Sequence, residues 1–375
     1  MRWIAHNDAP ELRGNERQLL QLARGLGARG HEGLVSCRRE GALAPELARA
    51  GVETSWVRPR GDVAWASALA FRALLARRRP HAVLLTAWKR VPMASWAARS
   101  AGVPRVVVRL GIVRRMPARG FSAWKLRHAF ERRVDALVVN SEAVAAAWRE
   151  SAPWFPAGRI HVVPNGVAEV SGDPAALRVE LRLPASLRLV STVAALERRK
   201  GLDLVLCALA GLADDVHLVV AGEGPEAEPL RALAASLGVE GRVHWLGARR
   251  DVPDVLAGSA AFVLPSRQDS TPNALLEAMS LGVPVVTTAG NGAEEALGAA
   301  RGRERAGWIV PPEDADALAA ALGEALAAPG SRADEARWRA RHWFGVERMV
   351  DDYECLLFPG TGVHRQHREA SARPE

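Results

Sequence analysis

Two carboxylates, Asp269 and Glu277, stand in residues 261–288, AFVLPSRQDSTPNALLEAMSLGVPVVTT. A carboxylate near the edge of a sheet is costly to bury unless something binds it, and the hydroxyls of a sugar or a ribose are suitable partners. The residues around the pair suggest how it is presented. The apolar run 261–264 reads as a strand in the middle of a parallel sheet, and 266–270 as a polar loop. Thr271-Pro272 reads as a helix cap followed by proline at the first helical position. A helix over 273–280 follows, stopped by Gly282, and Pro284 opens a strand over 285–288. Asp269 then lies in a loop and Glu277 inside a helix, one turn beyond Asn273. A helix start between them offers free N–H groups and a positive dipole end. The same spacing also fits an ordinary β-loop-α unit whose two acids face solvent.

Two glycine turns could bring backbone close to a ligand. Gly14 precedes a helix expected over 16–27, so close approach and a helix N-terminus coincide there; a simple turn fits equally well. Gly222-Glu223-Gly224-Pro225 follows a strand expected over 216–220. It lacks the third glycine and the downstream acid of a dinucleotide fingerprint.

The elements that must position these residues alternate along the whole chain. Strands are predicted over 2–5, 33–37, 82–85, 105–110, 136–140 and 160–163, with helices over 43–50, 64–78, 92–100, 121–134 and 142–150. Gly172, Asp173 and Pro174 read as a linker, and the alternation resumes with strands over 187–193, 216–220 and 242–246. Such βα alternation predicts open parallel sheets with helices on both faces. At 375 residues there is room for two domains.

Composition narrows the classes. The chain is 49% hydrophobic, which fits a folded protein, and no run of about 18 uncharged apolar residues suggests a membrane span. Residues 1–14 hold no long apolar signal region, and Cys37, Cys207 and Cys355 are scattered, so a reducing cytoplasm is the simplest home. No His/Cys cluster and no D-x-D in a fitting loop point to a metal. The net charge is +8, and nearly all the cations are arginine. From Arg99 to Arg133 basic residues recur with only Glu131 opposing them, and Trp96, Phe121, Trp124 and Phe130 are interleaved. That stretch reads either as a solvated basic face or as a contact for anionic lipid or an anionic glycolipid. Nucleic acid is disfavoured, because no recognition motif accompanies the charge.

The string Asp269-Ser270-Thr271-Pro272-Asn273-Ala274-Leu275-Leu276-Glu277, followed by Ala278-Met279-Ser280-Leu281-Gly282-Val283-Pro284-Val285-Val286, resembles the donor-binding signature of retaining glycosyltransferases of family 4. That signature reads E-G-x-P-N-x-x-x-E and then A-M-A-x-G-x-P-V-V. The resemblance runs from about residue 7 to 325. It includes Arg13-Gly14-Asn15-Glu16-Arg17 against G-G-x-E-R and Lys200-Gly201 against the end of G-R-L-x-x-x-K-G. It implies two Rossmann-like, doubly wound α/β domains facing across a cleft (the GT-B fold). The expected boundaries are 1–170 for an acceptor domain and 171–335 for a nucleotide-sugar domain. A helix over 336–358 would cross back to the first domain, and 359–375 would form a disordered tail.

The resemblance implies transfer of a sugar from a nucleotide diphosphate donor with retention of configuration. The donor is a substrate, and neither cofactor nor metal is needed. Glu277 would hold the ribose, Asp269 would lie near the sugar hydroxyls, and Lys200 would stabilise the leaving diphosphate. Gly14, Asn15, Arg198, Gly222, Glu223, Ser270, Thr271, Pro272, Asn273, Ala274 and Glu295 would line the donor, with Lys89 and Arg109 as acceptor-side candidates. The acceptor would be a glycan or a lipid-linked glycan, with possible contact to an anionic membrane. Four positions depart from the pattern: Asp269 replaces a glutamate, Ser270 a glycine, Arg13 a glycine, and Ala195 the arginine that would share the diphosphate. Arg198 or Arg199 could restore that charge. A catalytically impaired nucleotide-sugar-binding protein, or an epimerase or phosphorylase on the same scaffold, is the alternative.

Overall fold

The computed structural model describes residues 1–56, 65–117, 119–290, 292–298 and 302–360. The chain divides into two compact units, Met1–Gly166 joined by the chain from Val346, and Val167–Gly345. These boundaries fall at 166/167 and 345/346 rather than at the expected 170/171 and 335/336. Of the expected tail 359–375, residues 361–375 lie outside the described residues.

The first unit holds seven parallel strands: β1 (Arg2–His6), β2 (Glu32–Cys37), β3 (Glu53–Trp56), β4 (Ala82–Leu85), β5 (Arg105–Leu110), β6 (Ala136–Val139) and β7 (Ile160–Val162). Their order is β3-β2-β1-β4-β5-β6-β7. The central strands are buried on both faces, which is why Ala82–Leu85 and Ala136–Val139 carry no polar residue. One face packs Ile4, Val83, Leu85 and Val108 against Phe130 and Trp148. The other packs Trp3, Ala5, Leu84 and Val107 against Leu19, Leu22, Leu26 and Tyr353.

Tyr353 comes from the end of the chain. The single aromatic helix expected there is two helices, Gly330–Trp343 and Val346–Leu357. The break has a tertiary cause: Phe344 gives its carbonyl to the amide of Val167 at 2.7 Å, and Val167 bridges Gly345. Helix Gly330–Trp343 stays with the second unit, so the expectation that Trp338 and Trp343 belong to the returning helix fails. Helix Val346–Leu357 completes the first unit, where Arg29 meets Glu347 at 2.9 Å, Asp351 at 2.6 Å and Glu354 at 2.7 Å.

His6 ends β1 buried, with Nδ1 3.3 Å from the Ser36 hydroxyl and its ring against Phe71. Burial pushes its pKa down from 6.5 to about 4; nearby Asp8 opposes the shift and Arg90 adds to it. The folded state therefore prefers neutral His6. Its stability is intact above pH 6.5 and is lost as pH falls through the window from 6.5 to about 4. At the bottom of that window the loss attributable to His6 is about 3 kcal/mol. Urea denaturation at pH 7 and pH 4 checks this, since a His6→Leu variant lacks that component of the acid sensitivity.

The second unit holds β8 (Arg188–Val193), β9 (Val216–Ala221), β10 (Val243–Gly247), β11 (Ala261–Leu264), β12 (Val285–Thr288) and β13 (Trp308–Val310), ordered β10-β9-β8-β11-β12-β13. All pairings are parallel. In both sheets the order reverses beside the first strand, between β1 and β4 and between β8 and β11. Parallel doubly wound sheets bind ligands at the carboxyl ends of the strands flanking such a reversal. Each unit therefore has one favoured place for a site.

Candidate active site

In the second unit that place is built from the loops that follow β8 and β11. The backbone of Arg267 donates to the carbonyl of Arg199 at 2.9 Å, and the Arg267 side chain reaches the carbonyl of Arg198 at 3.0 Å. The same guanidinium forks onto Asp203 with two bonds of 2.7 Å and onto Glu313 at 2.5 and 2.8 Å. Hydrogen bonding to Arg267 holds both carboxyls below their usual range. One side chain thus ties the loops after β8 and β11 to helix Leu202–Ala210 and to the turn that carries Glu313. Gly201 completes the contact: its φ is +68°, and a Cβ there would lie 2.0 Å from the carbonyl oxygen of Pro265.

Lys200, the residue before Gly201, is only 9% exposed, and its ammonium pairs with the Asp269 carboxylate. Asp269 also accepts from the Ser266 hydroxyl at 3.2 Å and from the amide of Ser270 at 2.9 Å. Ser270 and Thr271 are buried beyond it. The helix is Asn273–Leu281, and its flanking residue is Pro272 with φ −70° and ψ 142°. Proline thus takes the extended cap position rather than the first helical one expected for it. Gly282 ends the helix with φ +72°, as expected from its lack of a Cβ. Asn273, Ala274 and Glu277 are half-buried along this helix.

Gly222, just after β9, packs against the loop that follows β8. Its amide donates to Gly247 at 2.8 Å, and its φ of +151° brings it so close to Ala194 that a Cβ would stand 1.8 Å from that carbonyl oxygen. Glu223 is exposed and accepts from the amide of Ala248 at 3.2 Å. Of the two arginines that could replace the charge missing at Ala195, Arg199 is paired with Glu197 at 2.7 Å, whereas Arg198 is exposed. Glu295 is exposed on helix Gly292–Leu297, and its neighbour Glu294 accepts from the amide of Gly290 at 2.9 Å. Asn291 lies outside the described residues.

In the first unit Gly14 opens helix Gly14–Ala28, two residues earlier than expected. Glu16 reaches back to the amide of Arg13 at 3.2 Å and accepts from Asn7 at 3.0 Å. Asn7 donates in turn to Thr86 after β4 at 2.9 Å, so the two strand ends at the reversal are tied. Arg109 is a residue of β5 and not of the loop that follows it. It is buried, donating to Asn15 at 2.5 Å and to Asn165 at 2.9 Å. Its observed contacts hold Asn15 in place. Lys89 is exposed in the short turn Trp88–Arg90.

Two sequence families match these two units. The group 1 glycosyl transferases match residues 175–343, and the glycosyl transferase 4-like domain matches residues 13–166. The chain belongs to the group 1 glycosyltransferases. Among curated members, the lipopolysaccharide core biosynthesis glycosyltransferase LpsE of Rhizobium meliloti is 29% identical over 240 residues, 62% of this chain and 66% of the relative. The D-inositol 3-phosphate glycosyltransferase of Salinispora tropica is 32% identical over 257 residues, 62% of this chain and 52% of the relative. The matches thus span between about half and two thirds of these relatives' own length. Anabaena HepE, solved with UDP and glucose, superposes with a TM-score of 0.82 at 21% identity, over 96% of this chain and all of that one. WaaG, a glycosyltransferase of lipopolysaccharide biosynthesis, superposes with a TM-score of 0.68 at 18% identity, over 96% of this chain and all of that one. The fold of this glycosyltransferase is GT-B.

The structure gathers Lys200, Asp269, Ser270, Thr271, Pro272, Asn273 and Gly222 around the reversal between β8 and β11. It adds residues that the sequence reading missed: Arg267, with its partners Asp203 and Glu313, and Ser266. Arg267 lies three residues after the end of β11, but its partners, Asp203 and Glu313, come from segments distant in sequence.

Proposed function

We propose that this chain is a retaining glycosyltransferase that takes a nucleotide diphosphate sugar on its second unit. The observation that carries the reading is the buried Lys200 beside the start of helix Asn273–Leu281, the helix that also carries Glu277, at the carboxyl ends flanking the β8–β11 reversal. Glu277 accepts from the ribose hydroxyls. The amides at the start of helix Asn273–Leu281 face negative charge favourably. Lys200 stabilises the charge that grows on the leaving diphosphate, and exposed Arg198 is near enough in sequence to assist. A departing phosphate oxygen accepts the proton of the acceptor hydroxyl, so no separate acid–base pair and no metal are invoked. The UDP and glucose bound by HepE support a nucleotide sugar as donor. The LpsE likeness supports a glycan or lipid-linked acceptor of the cell envelope.

The test is incubation with UDP-, GDP- and ADP-sugars and a lipid-linked glycan fraction, followed by proton NMR of the product. Release of nucleoside diphosphate with the donor's anomeric configuration kept supports the reading. Inversion, or donor binding without any transfer, favours a different mechanism or the impaired binding protein.

The reading includes work at the inner face of a membrane. No helix among the described residues is long and apolar enough to cross one, so contact would be peripheral. Phe121 and Trp124 are 68% and 62% exposed and stacked on each other, on a helix that also carries exposed Arg127 and Arg132. Exposed aromatic rings beside arginines suit an anionic headgroup layer, where each cation adds about 1 kcal/mol. Sedimentation with phosphatidylglycerol vesicles is expected to carry down the protein, and phosphatidylcholine vesicles are not. Replacing both rings with serine is expected to lower the bound fraction at least about five-fold.

A further inference from the structure

The first unit has its own reversal, between β1 and β4, and the loops after β1, β2 and β4 start there at one level. His6 at the end of β1 lies opposite Ser36 on one side and Leu85 on the other. Two arginines flank Asp8 just beyond. From the β2 side, Nε of Arg38 donates to the Asp8 carbonyl at 2.6 Å; from the β4 side, Nε of Arg90 donates to Asp8 Oδ2 at 2.8 Å. The backbone behind them is tied. The amide of Asn7 donates to Ser36 at 2.9 Å, that of Thr86 to His6 at 3.1 Å, and that of Ala42 to Pro10 at 3.0 Å.

Charge in these loops does not balance. Residues 7–13, 38–42 and 86–90 carry five cations against three carboxylates, a surplus of two. Arg90 is matched by Asp8 and Arg13 by Glu11, which leaves Arg38, Arg39 and Lys89 against exposed Glu40. Arg38 is half-buried, yet its bond goes to a neutral carbonyl. Among the described residues its two terminal amino groups have no partner, and neither has the exposed ammonium of Lys89. A half-buried guanidinium without a counter-charge is costly to desolvate. Held through Nε, its planar fork keeps a defined direction, which suits a phosphate. A phosphate monoester carries up to two negative charges near neutral pH, so it also matches the surplus.

We propose that the first unit takes an acceptor that carries a phosphate group, seated on Arg38 in the positive field of Arg39 and Lys89. Asp8 is the positioning residue that aims Arg38 and Arg90. The inference rests on the reading of the chain as a transferase whose donor occupies the second unit. It narrows the acceptor from any glycan to a phosphorylated one.

The experiment uses the full chain saturated with whichever of UDP, GDP and ADP it binds, so that the diphosphate positions of the second unit are filled. Glucose 6-phosphate, glucose and glycerophosphoglycerol, the diester headgroup of phosphatidylglycerol, are then titrated by calorimetry. Glucose 6-phosphate is expected to bind at least about ten-fold more tightly than glucose. Arg38→Gln is expected to lower that affinity about ten-fold and to leave the affinity for the nucleotide unchanged. Lys89→Ala, at an exposed side chain, serves if Arg38→Gln fails to fold, with an expected loss of about three-fold. Binding of glycerophosphoglycerol instead, with the same dependence on Arg38, assigns the phosphate to a lipid rather than to a phosphorylated sugar. No preference for either phosphate over glucose, or equal phosphate affinity in wild type and Arg38→Gln, overturns the inference while nucleotide binding stands. If wild type binds none of the three nucleotides, the donor reading falls and the acceptor role falls with it.

Discussion

Lys200→Met is expected to lower kcat for sugar transfer by about 10²–10³-fold, the usual effect of removing one charged group aimed at a developing anion. Glu277→Gln is expected to act differently. A ribose contact is equally present in the ground state and the transition state, so its loss raises KM by roughly 10–100-fold and leaves kcat nearly unchanged. Steady-state kinetics over a range of donor concentrations separates the two. Lys200 is also the counter-charge of a buried carboxylate, so Lys200→Met loses stability as well as rate. Thermal melts must accompany the kinetics, and Lys200→Arg, which keeps the charge, is expected to retain more of the fold than of the rate.

Gly222→Ala is expected to destabilise the second unit by about 3–5 kcal/mol, through crowding and backbone strain together. The new Cβ would lie 1.8 Å from the carbonyl oxygen of Ala194. That oxygen belongs to a backbone segment fixed by the bond from Ala194 to Ala221 at 3.1 Å, so it cannot move away cheaply. A unit of this size loses roughly 10 °C in Tm for such a change. Gly238→Ala is the control. Gly238 also has a positive φ, +68°, but nothing lies within 4 Å of its Cβ position, so only the conformational part remains, about 1 kcal/mol. Similar losses in the two variants would show that the contact between the loops after β8 and β9 is looser than described.

The alternation of strands and helices was readable because the central strands are buried on both faces and leave short apolar runs such as Ala82–Leu85. The elements that escaped notice lack that mark. β3 (Glu53–Trp56) is an edge strand with no fully buried residue, and helix Ala176–Leu181 lies just after the glycine and proline that suggested a linker. The break between Trp343 and Val346 depends on a hydrogen bond to Val167, far away in sequence. The site divides in the same way. The loop around Asp269 and the glycine stop at 282 follow from local residue types. That Asp269 faces Lys200, and that Arg109 is committed to Asn15 and Asn165, depends on packing between segments about 50 to 90 residues apart in sequence. Motif spacing can assign a carboxylate to a loop, but the direction of its side chain is decided by the donors that the fold brings to it.

A donor site at the carboxyl ends of β8 and β11 is tested most directly by titrating UDP, GDP and ADP into wild type and Glu277→Ala by calorimetry. One of the three is expected to bind wild type at least about ten-fold more tightly than the other two, and to lose at least about ten-fold in Glu277→Ala. Absence of binding by all three, or equal binding by wild type and variant, would contradict the placement of a nucleotide-sugar donor in the second unit.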